Sequence, residues 1–220
     1  MQEKSKKKGV KKFISLLSGG LDSPIAAYLM IKKNLTPIFL SFLTSDDEES
    51  SMKKKVISVV QILAKITDKR VKLYLVNHDP NLELFKRMCE RKLTCILCKR
   101  LMIRIAIEIG NNEDTNIIVT GDILGEQASQ TLDNLYVYND LLNGYVILRP
   151  LIGQDKQEII RINQKIGLYE ITSQSSAGCQ YNPQYPETHA KSNEVNGEEF
   201  CINYDEIIKK SLEKAEILFF

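Results

Sequence analysis

Ser18-Gly19-Gly20-Leu21-Asp22-Ser23 follows the apolar run Phe13-Ile14-Ser15-Leu16-Leu17 and precedes a helical pattern running from Ile25 to Ile31. The order is strand, tight glycine turn, helix. Two glycines let the backbone turn sharply and approach a ligand closely. Pro24 suits the first helical position, with Ser23 expected as the N-cap. The free N–H groups at such a helix start make an anion site. The hexapeptide therefore reads as a phosphate-binding loop. It is not a Walker loop, because the chain contains no G-x-x-x-x-G-K-[ST].

Around this loop, short β-rich runs alternate with helical patterns. Strands are expected near 13–17, 36–42, 71–76, 116–120 and 145–148, and helices near 23–33, 52–66, 81–91, 95–110, 126–134, 155–166 and 204–217. Such alternation predicts an α/β fold, a parallel sheet with helices on both faces. Runs such as Ile117-Ile118-Val119 and Tyr145-Val146-Ile147-Leu148 suit strands covered on both sides. In these sheets ligands bind beyond the carboxyl ends of the strands, where the SGGLDS loop lies. Residues 43–51 read as an acidic loop, and 172–200 as a long irregular segment.

The chain has 220 residues, of which 43% are hydrophobic and 26% charged, as in ordinary globular domains. It has no apolar run near the roughly 20 residues needed to cross a bilayer. Its N-terminus, MQEKSKKKGVKK, lacks a secretory apolar core. No membrane association and a cytoplasmic location are expected. The formal charge is +2, but residues 1–12 carry six Lys against one Glu, so the remaining chain bears −3. Residues 1–12 are expected to be a basic disordered tail, and 13–220 a single domain. A second basic cluster, Lys86, Arg87, Arg91, Lys92, Lys99, Arg100 and Arg104, is interrupted by Glu90 alone. It is expected to attract polyanions.

That cluster brackets Cys95-Ile96-Leu97-Cys98. The odd total of five cysteines argues against a disulfide framework. Two cysteines one helical turn apart can clamp one edge of a metal group. With Cys179 as a third thiolate, the count suits an iron–sulfur cluster with one open iron. A redox dithiol, a zinc site completed by His189 and inert buried thiols fit the spacing as well. Cys89 and Cys201 read as isolated and structural.

The SGGLDS loop resembles that of the PP-loop ATP pyrophosphatases. Further blocks resemble one family among them, the tRNA 4-thiouridine sulfurtransferases. The stretch from Thr120-Gly121-Asp122 through Ser129-Gln130-Thr131-Leu132-Asp133-Asn134-Leu135 is similar to its TGExLGQVASQTLxNL block, and Leu148-Arg149-Pro150-Leu151-Ile152-Gly153-Gln154-Asp155-Lys156 to its LRPLIxxDK block. Lys99-Arg100-Leu101-Met102-Ile103-Arg104-Ile105 resembles its RRxMMRI helix. Cys179 with Pro186, Thr188 and Ala190 resembles the loop of its catalytic cysteine.

The resemblance implies a PP-loop, Rossmann-like domain that binds ATP and Mg²⁺. ATP would contact Leu16, Leu17, Ser18, Gly19, Gly20, Asp22, Ser23, Lys99, Gly121 and Gln130. Ser41 and Phe42 would line the adenine pocket. Asp22 would sit by the reacting phosphates, Lys156 would act as a buried cation on developing charge, and Cys179 would take part in sulfur transfer. C-x-x-C resembles the cluster-binding version of PP-loop thiolases, implying a [4Fe-4S] cluster on Cys95, Cys98 and Cys179. The family's RNA-binding region with its THUMP domain and the rhodanese domain of some members are not read in this sequence. Expected partners are therefore tRNA, a separate THUMP-type RNA-binding protein and a sulfur donor, with a homodimer as one assembly allowed. The expected activity is ATP-dependent tRNA thiolation through an adenylated uridine oxygen. The competing readings are an ATP-dependent amidating or ligating enzyme of the same fold and a non-catalytic nucleotide-binding subunit.

Overall fold

The computed structural model describes residues 11–44, 51–174 and 178–220. Of the expected basic tail, residues 1–10 lie outside the described residues, as do 45–50 of the acidic loop. Six strands form one sheet in the order β5-β4-β1-β2-β3-β6. They are β1 (Lys12–Leu16), β2 (Thr36–Leu43), β3 (Lys72–Asn77), β4 (Ile117–Val119), β5 (Val146–Leu148) and β6 (Glu216–Phe219). The first five are parallel to one another, and β6 runs antiparallel to β3. The fold is the expected α/β class.

Alternate residues of each central strand feed two apolar cores, because successive side chains point to opposite faces. Ile14, Leu16, Ile38 and Leu40 pack on one side with α3 (Asp79–Met88), α4 (Thr94–Asn112), α8 (Ser192–Glu199) and α9 (Tyr204–Glu213). Phe13, Leu17 and Phe39 pack on the other with α1 (Asp22–Ile31), α2 (Ser51–Thr67), α6 (Lys156–Lys165) and α7 (Tyr169–Thr172). The short helix α5 (Leu132–Tyr136) follows β4. Pro37 pairs with Phe13 of β1, one residue before the register with β3 starts at Ile38, so its missing N–H interrupts no bond to β3.

Three differences from the sequence reading have local causes. The last helix was expected to run to about residue 217, but α9 stops at Glu213 and Glu216–Phe219, with its apolar Ile-Leu-Phe run, pairs with the edge of β3. Covering an open strand edge outweighs a weak helical preference. Helix α8 forms inside the segment read as irregular, although its pattern is hardly amphipathic, because Glu199 and Val195 are drawn into the core. Ser23 is not the N-cap of α1: the helix starts at Asp22 with Leu21 as its cap, and Pro24 is the third helical residue.

Candidate functional site

Strand order reverses at β1, which has β2 on one side and β4 on the other. Connections from β1 and β4 diverge there and leave a crevice at their carboxyl ends. The SGGLDS loop leaves β1 into this crevice, and Thr120-Gly121-Asp122 leaves β4. The Ser23 hydroxyl is released from capping and folds back on the loop. It accepts from the Ser18 amide at 2.7 Å and lies 2.9 Å from Ser18 Oγ. No side chain caps the start of α1. A Cβ on Gly19 would lie 2.9 Å from Met52 Sδ and 3.0 Å from Lys55 Cδ, atoms of flexible side chains that can shift. At Gly121 the obstacle is backbone. A Cβ on Gly121 would lie 2.6 Å from the Ser23 amide nitrogen, so the two loops meet only because Gly121 has no side chain.

The crevice is a cavity of about 310 Å³. Its lining includes nine of the residues expected to bind nucleotide: Leu16, Leu17, Ser18, Asp22, Ser23, Phe42, Lys99, Gly121 and Gln130. Gly19 and Gly20 shape the loop without lining the cavity. The Ser41 side chain is not on the wall. Leu40 and Phe42 share the cavity face of β2, and strand alternation turns the buried Ser41 to the other face. Gln130 Oε1 is buried with no hydrogen-bond partner, an acceptor suited to an N–H donor of a bound base.

The charged groups form two clusters. Lys156 Nζ donates to Asp22 Oδ1 at 2.7 Å and contacts Glu126 Oε1 at 2.8 Å. Lys156 was expected to be buried, but its side chain is 37% exposed, since it stands at the open first turn of α6. Burial pushes the Asp22 carboxyl above its ordinary value, against the pull of Lys156. Deeper, Asp122 is 2% exposed. It accepts from Lys99 Nζ at 2.9 Å, Thr120 Oγ1 at 2.7 Å and Arg149 Nε at 3.3 Å. Although burial alone would raise it, these cations and the hydroxyl hold its carboxyl below the usual range. Asp122, Arg149 and Glu126 had no assigned role in the sequence reading. Their signal was position, just beyond the carboxyl ends of β4 and β5.

A second cavity of about 270 Å³ adjoins the first and shares Lys99 and Met102 with it. Cys95, Cys98 and Cys179 all line it, with His78, Tyr181 and Asn182. Cys95 and Cys98 lie in the first turns of α4, and Cys179 arrives from the chain after Gly178. The three cysteines expected to act together thus line one cavity. Among the described residues no three His, Cys, Asp or Glu side chains surround a single metal ion. His189 lies elsewhere, 2.8 Å from Asp133, so it does not complete a zinc site with them. His78 is the histidine of this cavity: fully buried, it has Nε2 at 3.3 Å from Cys98 Sγ and Nδ1 at 3.3 Å from Asn81 Nδ2. The Asn81 amide donates to Nδ1, which leaves the proton on Nε2, facing sulfur. The sequence carried no motif for His78 beyond its place after β3.

The neighbouring basic residues do not lower the cysteine thiols. Burial drives Cys98 strongly upward and raises Cys95, with only small opposing pulls from Lys99 and Arg91. Nor is the 86–104 cluster a free polyanion surface. Lys86 pairs with Glu83, Lys92 with Glu90, Glu187 and Glu194, Lys99 with Asp122, Arg100 with Asp140 and Glu199, and Arg104 with Glu199. Apart from Glu83 and Glu90, the acids come from distant segments, so most of their neutralising effect is invisible in a local count. Cys89 and Cys201, read as isolated, are neighbours: both thiols donate to the Glu198 carbonyl, at 3.8 and 3.3 Å.

Comparison with known proteins agrees with this arrangement. "Probable tRNA sulfurtransferase" of Methanosarcina mazei is 38% identical over 208 residues, covering 94% of this chain and 51% of that protein. The protein of the same name from Methanocaldococcus jannaschii is 38% identical, covering 84% of this chain and 48% of its own. The chain therefore spans about half the length of these relatives. The crystal structure of a 4-thiouridine synthetase–RNA complex with bound ATP superposes with a TM-score of 0.89 at 25% identity, covering 96% of this chain and 55% of that one. A U34-tRNA thiolase, NcsA from Methanococcus maripaludis with its [4Fe-4S] cluster, shares the fold at a TM-score of 0.51 and 14% identity, covering 94% of this chain and 70% of its own. The family model described as thiamine biosynthesis protein (ThiI) matches residues 9–204, and the chain belongs to the ThiI family.

Proposed function

We propose that this chain carries the catalytic domain of an ATP-dependent tRNA thiolation enzyme, forming 4-thiouridine. The observation that carries the reading is the shared wall: Lys99 and Met102 separate a phosphate-loop cavity from one lined by three cysteines. A uridine at the junction would have an activated phosphate on one side and sulfur on the other. The relatives' names and the ATP- and RNA-bound neighbour support both halves.

In the first step the uridine O4 attacks the α-phosphorus of ATP, the α–β bond breaks and pyrophosphate leaves. The SGGLDS amides and Lys156 would offset the negative charge that develops. Asp22, an oxygen ligand beside the phosphates, would hold Mg²⁺ once Lys156 turns to the nucleotide. Gln130 Oε1 would receive a base N–H, filling its empty valence. In the second step a sulfur nucleophile attacks C4 and AMP departs with the former O4. Cys95, Cys98 and Cys179 fit a [4Fe-4S] cluster by donor chemistry and by sharing one cavity. Bound there, it would supply an open iron able to carry sulfide. Cys179, the exposed one of the three, would meet the substrate.

Two measurements test this. With ATP, Mg²⁺, tRNA and sulfide, the products should be AMP and pyrophosphate, and Asp22→Ala should abolish both without unfolding the chain. Release of ADP and phosphate would overturn the assignment. Anaerobically purified protein should contain iron and acid-labile sulfide, and Cys95→Ala, Cys98→Ala and Cys179→Ala should each lose them together with thiolated nucleosides. A full cluster in Cys179→Ala would make Cys179 a persulfide-carrying nucleophile instead.

A further inference from the structure

We propose that Cys89 and Cys201 form a reversible disulfide, a modification site apart from both cavities of the active centre. Cys89 is the extended residue that ends α3, and Cys201 follows the cap residue of α8. They are distant in sequence, yet each thiol donates to the Glu198 carbonyl, at 3.8 Å from Cys89 and 3.3 Å from Cys201. Cys201 also reaches the carbonyl of Met88, the residue before Cys89, at 3.9 Å. The two thiols thus converge on one carbonyl oxygen. Neither lines the cavity of Cys95, Cys98 and Cys179. Side-chain rotation about that shared acceptor is the motion that would bring the two sulfurs to bonding distance.

The two positions differ in a way that sets the order of events. Cys201 is exposed, whereas Cys89 is partly covered. Burial, Cys201 and the carboxylates of Glu198 and Glu199 push the Cys89 thiol up to about 12. Cys201 therefore meets an oxidant first. With hydrogen peroxide, the Cys201 sulfur attacks one oxygen, the O–O bond breaks, and water leaves after taking the thiol proton. Cys201 is then a sulfenic acid. The Cys89 sulfur attacks it, the S–S bond forms, the S–O bond breaks, and the Cys89 proton leaves with hydroxide as a second water. Two thiols lose two electrons and the peroxide gains them. With a small-molecule disulfide, Cys201 forms a mixed disulfide, and Cys89 displaces the second thiol.

The link would tie the end of α3 to the α8–α9 junction. Helix α8 grips the neighbourhood of the cysteine cavity: Glu194 holds Lys92, Glu198 accepts from the Glu90 amide, and Glu199 holds Arg100 and Arg104 of α4. A bond at Cys201 would fasten this clasp covalently.

The test uses the whole reduced chain. It is exposed in parallel to hydrogen peroxide and to oxidised glutathione, quenched with an alkylating reagent, and mapped by mass spectrometry without reduction. A Cys89–Cys201 linked peptide should dominate in both, and dithiothreitol should remove it. Cys89→Ser should stop at a glutathione adduct on Cys201, and Cys201→Ser should leave Cys89 fully alkylated. The proposal is overturned if wild-type protein stops at the Cys201 adduct with Cys89 alkylated. It is equally overturned if either residue links mainly to another cysteine, or if both stay alkylated while Cys179 is oxidised.

Discussion

Replacing Glu199 by Gln should be among the most damaging changes outside the active centre. Arg100 is 2% exposed, and its guanidinium is held on both sides. Glu199 accepts from Arg100 Nε at 2.9 Å and Nη2 at 2.7 Å, and from Arg104 Nη2 at 2.9 Å. Asp140 accepts from Nη1 at 2.7 Å and Nη2 at 3.0 Å, and the Val137 carbonyl takes a further bond. Glu199→Gln keeps the shape but leaves Arg100 with the 45%-exposed Asp140 as its one carboxylate and takes from Arg104 the carboxylate it pairs with. Removing one partner of a buried pair costs about 3–5 kcal/mol, and the surviving Asp140 fork places this case near the lower end. For a domain of this size, about 3 kcal/mol corresponds to a melting point lowered by roughly 6–12 °C. The pH dependence has a definite sign. Burial opposes ionisation of Glu199, but Arg100 and Arg104 prevail and hold its carboxyl below the ordinary 4.5. Its stabilisation is therefore complete above pH 4.5 and disappears as pH falls through the lowered folded-state value. Calorimetry of wild type and variant at neutral and acid pH reads both effects. A neutral-pH difference under about 2 °C would refute the claim that Glu199 carries this buried charge.

Gly121→Ala should separate the two loops, because its Cβ would press on Ser23 backbone at 2.6 Å; a loss of about 1–3 kcal/mol in denaturant titration and weakened ATP binding are expected. Lys156→Met should leave Asp22 and Glu126 facing each other without their cation and slow pyrophosphate release by about 10²-fold, measured with saturating ATP. Asp122→Asn should leave Lys99 and Arg149 converging without an anion; a lower melting point at pH 7 and a smaller acid-induced loss below the ordinary 3.8 are expected, since the lowered Asp122 carboxyl stabilises only where it is ionised.

Much of this architecture was legible because it is local. Apolar strands, the glycine turn and the helix that follows are written in adjacent residues, and so is the C-x-x-C turn. What escaped depends on segments far apart in the chain. The last strand exists because β3 has an open edge, not because Glu216–Phe219 must be extended. Ser23 reads as a cap until Ser18 claims its hydroxyl. The family resemblance implied that Ser41 and Phe42 both line the adenine pocket, yet the pleat turns them to opposite faces. The basic run 86–104 looked free because its acids lie at positions such as 122, 140, 187, 194 and 199. His78, at the turn from β3 into α3, meets Cys98 only through the packing of α3 against α4.

The wall formed by Lys99 and Met102 has a thermodynamic consequence. Lys99 is tied to Asp122 in the phosphate-loop cavity and belongs equally to the lining of the cysteine cavity. A nucleotide that draws Lys99 away from Asp122 changes the electrostatic environment of Cys98, which feels the lysine charge. Linkage then requires the reverse effect: whatever occupies the sulfur side must alter nucleotide affinity by the same factor. Under the proposed function the two halves of the site would act as one cooperative unit, and the affinity for ATP would report on the state of the cysteines.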